Sequence, residues 1–388
     1  MNSFKFQNPT KLLFGKGQLN TLPKEVARYG NRILLVYGSE SILRNGIYDN
    51  VTSILNKIGA EVHELPGVKG NPRVTTVQEG IDICKEENIE FILAIGGGSV
   101  IDCSKAIAVG AKSDSNIWDI ITKKAKLEGA LPLGTILTMA ATGSEMNKAS
   151  VITNWDLNEK ITWGSSIVYP KFSILDPEHT YSVPQKQTVY GLVDIMAHVM
   201  EQYFHNTTNT PVQDSICESL LKIVIETAPK VLEDPENYEF RETIMLCGTM
   251  AMNDMISMGT RSDWALHHIE HAVSAVHDIP HAAGIAILFP HWMQYVVEKD
   301  IPRFRQFAVN VFNAEGSGKS DLLIALEGIE RLQYLWKSIG APSTLKEFNI
   351  NEDKFDIIAD KAVSMFPVNS NFVKLDKEDV LNILHMSL

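Results

Sequence analysis

Cysteine is scarce in this chain, runs of basic residues are missing, and so is any long apolar run. The four cysteines, Cys84, Cys103, Cys217 and Cys247, stand far apart and form no C-x-x-C pair. That spacing excludes a disulfide framework and a thiolate metal site, and leaves the thiols as core fillers. No stretch reaches the roughly 18 consecutive apolar residues of a membrane span, and "MNSFKFQNPTKLLFG" lacks the apolar segment of a signal peptide. The expectation is a cytoplasmic protein. A formal charge of -12 without a cluster of Lys and Arg argues against nucleic-acid or anionic-membrane partners, which need a concentrated positive face. A small, neutral or weakly polar ligand fits better. At 388 residues and 45% hydrophobic composition, the chain is too long for one ordinary core and long enough for two.

Texture divides those two cores. The first half alternates β-rich runs with amphipathic segments: "NRILLVYGSES", "GIYDNVTSILNKIGA" and "EVHELPGVKGNP" read as one β-α-β unit, and "EFILAIGGGSVIDCSKAIAVGA" as a strand, a glycine-rich turn and a helix. Such alternation predicts a Rossmann-like parallel sheet. From Pro184 onward, "QKQTVYGLVDIMAHVMEQYFHN", "DSICESLLKIVIETAPKVL" and the later segments carry helical periodicity. The predicted fold is therefore α/β, with an N-terminal dinucleotide domain over 1–183 and a C-terminal all-helical metal and substrate domain over 184–388. "FKFQNPTKLLFG" reads as a strand pair at a sheet edge.

In the first half, Gly96, Gly97 and Gly98 end a strand and Ser99 opens a helix. Glycine lets the backbone approach a phosphate, and the helix N-terminus offers N–H groups and partial positive charge to a pyrophosphate. A tight turn of this kind is also ordinary punctuation in α/β chains. Asp102 follows one turn later, suited either to the helix dipole or to accepting hydrogen bonds from a cofactor. The first strand ends Tyr37-Gly38-Ser39. Gly38, Ser39 and Ser41, with Arg44 downstream, leave room and donors for a 2′-phosphate, which favours NADP(H) over NAD(H), whereas Glu40 could accept from ribose hydroxyls and argues for NAD(H). Thr138, Thr142, Ser144 and Asn147 in "TMAATGSEMN" add short polar side chains after a further strand.

The second half holds a different chemistry. Asp194 and His198 are four apart on a predicted helix and share a face among apolar neighbours. Five of the chain's eleven histidines fall within "LHHIEHAVSAVHDIPHAAG", at His267, His268, His271, His277 and His281. His267 and His271 share a face, while His268 is turned about 100° away and His277 about 80° to the other side. Pro280 ends the helix, and His281 emerges from the turn. One carboxylate with imidazoles is a hard-to-borderline donor set for Zn²⁺ or Fe²⁺. By spacing alone, Asp194, His198, His267, His271 and His281 compete for about four ligand places.

Together these features resemble the iron-containing, or group III, alcohol dehydrogenases, and within them the butanol dehydrogenase-like branch. "FGKG" at 14–17, "GNP" at 70–72, "GGGSVID" at 96–102, "ATGSEMN" at 141–147, "LDP" at 175–177, D-x-x-x-H at 194–198 and H-x-x-x-H-x9-H at 267–281 occur in the family's order. The resemblance spans essentially the whole chain. It implies a metal, Fe²⁺ or Zn²⁺, on Asp194, His198, His267 and His281, with His271 beside the substrate as a proton relay. It also implies a dinucleotide held by Asn71, Gly97, Gly98, Ser99, Asp102, Thr138, Thr142, Asn147 and Lys160, with Asp102 near the nicotinamide. The implied reaction is interconversion of aldehydes such as butanal with primary alcohols by hydride transfer, in a homodimer. A competing resemblance is to sugar-phosphate cyclases such as dehydroquinate synthase, NAD- and metal-dependent lyases. Their acidic substrate would need Lys and Arg around the metal, where this chain has Met196, Met200, Ile195, Ala272 and Ala275.

Overall fold

A computed structural model of the protein describes residues 1–38, 41–365 and 372–388. Its strands are β1 (Lys11–Phe14), β2 (Arg32–Tyr37), β3 (Glu61–Leu65), β4 (Phe91–Gly96), β5 (Leu133–Leu137), β6 (Ala149–Asn154), β7 (Glu159–Gly164) and β8 (Phe172–Leu175). Six of them form one sheet in the order β1-β8-β5-β4-β2-β3, every pairing parallel. β6 and β7 make a separate antiparallel hairpin.

The strand sequences explain why this sheet is covered on both faces. In β2, Ile33 and Leu35 pack with Phe91, Leu93, Ile95 and the Ile47–Lys57 helix on one side. Leu34 and Val36 pack with Ile92, Ala94 and the Gly98–Gly110 helix on the other. Alternate residues thus enter opposite cores, as period-2 geometry requires, and the strand reads as a continuous apolar run. The chain passes from β2 outward to β3 and then returns to the opposite side of β2 as β4. That reversal opens a crevice beyond the carboxyl ends of β2 and β4, the place where open α/β sheets take their ligands.

The described residues group into two compact units. One comprises Gln7–Pro184 with Pro235–Asn253; the other comprises Met1–Phe6, Gln185–Asp234 and Asp254–Leu388. A single division at 183 is therefore too simple. The Tyr238–Ala251 helix groups with the sheet, where Thr249 Oγ1 donates to the buried Glu145 at 2.6 Å. The other unit is helical, with Gln185–Tyr203, Pro211–Glu233, Ala265–His277 and His281–Val296 among its longer helices. None of the helices in the described residues is long and apolar enough to cross a membrane.

The amino-terminal segment departs from expectation. Only Lys11–Phe14 is a strand, and it pairs with β8 at the sheet edge instead of with a neighbour inside "FKFQNPTKLLFG". Pro9 lacks an N–H for a ladder. Asn8 instead turns the chain, its Oδ1 accepting from Thr10 N at 3.2 Å and its Nδ2 donating to Met146 O at 2.8 Å.

Candidate metal centre and dinucleotide cradle

Of the metal candidates in the helical unit, Asp194, His267 and His281 bring their donor atoms together, while His198 stands beside them, outside that group of donors. Asp194 and His198, one turn apart on the Gln185–Tyr203 helix, are both buried, with His198 Nδ1 3.8 Å from Asp194 Oδ2. Donor atoms of Asp194, His267 and His281 lie within 4.8 Å of one another. His281 Nε2 is 3.7 Å from Asp194 Oδ1. The His198 and His267 rings stack at 5.0 Å between centroids, and burial holds the His198 imidazole down at about 4. It is neutral near pH 7, so it keeps the lone pair a metal needs. Five histidines lie on this stretch, but the turn at Asp278 (φ 52) and the helix start at His281 decide which of them meet. His271 packs with its ring centroid 5.4 Å from that of His281, whereas burial depresses His268 to about 3 on a different side of the helix.

Two glutamates that spacing did not single out hold the imidazoles. Glu201, fully buried, accepts from the backbone N–H of Trp264 at 2.7 Å and of His267 at 3.0 Å, and lies 2.9 Å from His267 Nδ1. A carboxylate already accepting two backbone donors is oriented to accept a third from the Nδ1–H tautomer of His267, the tautomer that leaves the Nε2 lone pair available. Burial pushes the Glu201 carboxyl up to about 7 against the pull of those N–H groups. Glu270 does the same for His281: it takes the Ser274 hydroxyl and His281 Nδ1. Glu270, His271 and His281 also offer converging donor atoms. Glu270 is already committed to Ser274 and His281 Nδ1, whereas Asp194 Oδ1 lies 3.7 Å from His281 Nε2, so the Asp194 group is the stronger candidate. Its carboxylate and imidazoles, braced from behind by the two glutamates, suit a divalent cation. Trp264, at φ 67, borders the cluster with its ring centroid 5.2 Å from that of His267. A bulky residue rarely adopts that conformation.

The dinucleotide candidates lie in the sheet unit. Gly38 follows β2, Gly96 ends β4, and Thr138, just after β5, donates its N–H to Gly96 O at 3.2 Å. Gly97 caps the Gly98–Gly110 helix, so Gly98 and Ser99 supply first-turn N–H groups. A Cβ on Gly98 would overlap the Thr142 side chain, so the "ATGSEMN" segment lies directly on the turn. Asn71 adopts φ 51 in "GNP". Lys160, on β7, is buried, and its charge acts on Asp102. Ser39 lies outside the described residues, and so does the side chain of Ser41.

Asp102 and Asn147 spend their polar atoms inside the protein. Asp102 accepts from Ser144 Oγ at 2.5 Å and from Val151 N at 2.9 Å. Burial raises its carboxyl, offset chiefly by Lys105. Asn147 Oδ1 accepts from Lys105 Nζ at 3.0 Å and from Ala149 N at 2.9 Å, while its Nδ2 donates to Gly143 O at 3.0 Å. Trp163 belongs to the core and Trp155 stacks under Arg73.

Comparison with known proteins bears on both sites. The family model described as iron-containing alcohol dehydrogenase matches residues 9–177. The model for the C-terminal part of the Fe-containing alcohol dehydrogenase family matches 188–388. A probable NADH-dependent butanol dehydrogenase of Bacillus subtilis is 59% identical over 100% of both chains. The NADPH-dependent aldehyde reductase of Escherichia coli is 34% identical over 90% of each. Among solved structures, an NADH-dependent butanol dehydrogenase of Thermotoga maritima superposes with a TM-score of 0.95 at 38% identity, covering 100% of this chain and 99% of that one.

Proposed function

Because the chain belongs to the Fe-containing alcohol dehydrogenase family and is an NAD(P)H-linked, metal-dependent alcohol dehydrogenase and aldehyde reductase, we propose that it reduces short aliphatic aldehydes of the butanal class with NADH, using Asp194, His198, His267 and His281 as the metal ligands. The observation that carries this reading is the convergence of the Asp194, His267 and His281 donors within 4.8 Å, each imidazole held from behind by a buried glutamate.

A divalent Fe²⁺ or Zn²⁺ in that site supplies Lewis-acid polarisation of a carbonyl oxygen. The protein's own groups do the rest. The N–H groups at Gly97, Gly98 and Ser99, with Thr138 and Thr142, hold the pyrophosphate, and Asn71 and Lys160 complete the cleft. His271, buried next to His281 but outside the ligand set, carries the proton that the product alcohol needs. For the reductant, the names of the relatives outweigh the small residues after β2. NADH is the cofactor named for the Bacillus and Thermotoga proteins, and NADPH for the more distant one from Escherichia. Glu40, three residues after β2 in the sequence and outside the described residues, supplies an acid that disfavours a 2′-phosphate.

The test follows loss of nucleotide absorbance with butanal in metal-replete and chelated enzyme. Aldehyde-dependent turnover that chelation abolishes and Fe²⁺ or Zn²⁺ restores is expected, with kcat/KM higher for NADH than for NADPH. Turnover indifferent to chelation would refute the ligand assignment, and a preference for NADPH would refute the cofactor assignment.

A further inference from the structure

Lys105 lies on the Gly98–Gly110 helix and is 0% exposed. A buried ammonium is costly unless it is paired and fully hydrogen-bonded, so this one calls for a reason. Its Nζ donates to Ser144 O at 2.7 Å, Ser144 Oγ at 2.8 Å, Asn147 Oδ1 at 3.0 Å and Ala149 O at 2.7 Å. All four acceptors belong to the segment that leads from "ATGSEMN" into β6. Asp102, one turn earlier on the same helix, grips that segment from its other polar groups, accepting from Ser144 Oγ and Val151 N. Burial pulls the ammonium down to about 8, while Asp102 and Glu145 oppose the fall, so it stays charged at neutral pH.

The segment gripped in this way forms one wall of the glycine-rich turn. Thr142 packs where a Cβ of Gly98 would stand, and Met139 lies 3.4 Å from the corresponding position at Gly97. The segment has ties of its own, with Asn147 Nδ2 and Met146 N both donating to Gly143 O, and others to Asn8, Ser173 and Thr249. To these the Gly98–Gly110 helix adds one cation and one carboxylate.

We propose that Lys105 is a positioning residue for the dinucleotide: its ammonium fixes the 142–149 segment against the glycine-rich turn. The N–H groups at Gly97–Ser99 and the hydroxyls of Thr138 and Thr142 thereby keep the shape that an anionic pyrophosphate requires. Lys105 touches neither cofactor nor substrate and acts only through Ser144, Asn147 and Ala149. The inference rests on the dinucleotide site proposed above.

The experiment uses the full-length, metal-loaded protein with Lys105→Met, Ser144→Ala and Gly98→Val. It measures NADH dissociation constants by nucleotide fluorescence, KM for NADH and for butanal, and metal per chain. Stranding four buried acceptors in Lys105→Met is expected to raise the NADH dissociation constant and KM about tenfold or more, with metal content and KM for butanal within about twofold. Ser144→Ala keeps the ammonium and removes one of its acceptors, together with the hydroxyl that donates to Asp102. It is expected to weaken NADH binding about threefold, and it decides the question alone if Lys105→Met does not fold. Should both variants bind NADH normally while Gly98→Val does not, the positioning role is wrong and the dinucleotide site stands. Should Gly98→Val bind NADH as the parent does, the site itself is wrong, and the inference falls with it.

Discussion

In the helical unit, buried glutamates stand behind imidazoles: Glu201 behind His267, and Glu270 behind His281. In the sheet unit the charge is reversed, with a buried lysine behind a hydroxyl, an amide and two carbonyls. The contrast matches the roles proposed for the two sites. A metal ligand offers a lone pair, so its far nitrogen must keep the proton, and an acceptor has to stand behind it. A phosphate cradle offers N–H and O–H donors, so the acceptors left over on the same segment must be satisfied from behind by a donor. Each bracing group complements the atoms that are not used for binding.

The largest effect should come from removing a ligand. His267→Ala is expected to lose its metal, measured as metal per chain, and to lower kcat/KM for butanal by more than about a thousandfold, the scale of several kcal/mol of charge stabilisation. A variant that retains metal and turnover would show that the convergent donors in the helical unit are structural, and the comparison would lose one side. A brace should matter less than a ligand. Glu270→Gln keeps the shape and removes the carboxylate charge facing His281 Nδ1, so metal affinity should fall about 10- to 100-fold. Competition with a chelator of known strength measures it, and an unchanged affinity would mean that Glu270 merely fills the core.

This ranking also describes what could be read in the chain. Asp194/His198 and His267/His271 were visible because helical spacing puts i and i+4 on one face, and Pro280 gave the stop that frees His281. The sheet was visible because its strands, buried on both sides, leave unbroken apolar runs such as "FILAIG". The braces were not. Glu201 lies seven residues after Asp194 and Glu270 three after His267, both on the helices that carry the proposed ligands. A lone acid on a helix reads as solvated surface until its burial is known. Lys105 reads the same way within "VIDCSKAIA". The β6–β7 hairpin was missed as well, since its turn uses Asn158 at φ 49 without the Asn-Gly pair that announces such turns. The grouping of Pro235–Asn253 with the sheet rests on contacts far apart in sequence, among them Thr249 to Glu145, 104 residues away, and Lys16 N to Tyr238 Oη.

The smallest effect should come from a histidine of the helical unit that lies outside the ligand cluster. His205 is buried, and its Nδ1 accepts from Thr207 N at 3.1 Å. Its Nε2 lies 3.4 Å from Arg303 Nη2 and 3.8 Å from Asp214 Oδ1. Burial, followed by the Arg303 charge, lowers its pKa to about 4. With the unfolded value near the ordinary 6.5, only the unfolded chain takes up this proton between pH 6.5 and 4. The contribution is therefore present above pH 6.5 and lost as pH falls through about 4. His205→Gln should flatten that acid limb by about 1 kcal/mol, allowing for solvent screening in the open groove beside it. Metal content should stay at the parent level. Thermal unfolding at a series of pH values measures the slope: an unchanged acid limb would mean that His205 takes up a proton in the folded protein. A fall in metal content would mean that the ligand cluster reaches further along the helix bundle than the glutamate-braced imidazoles.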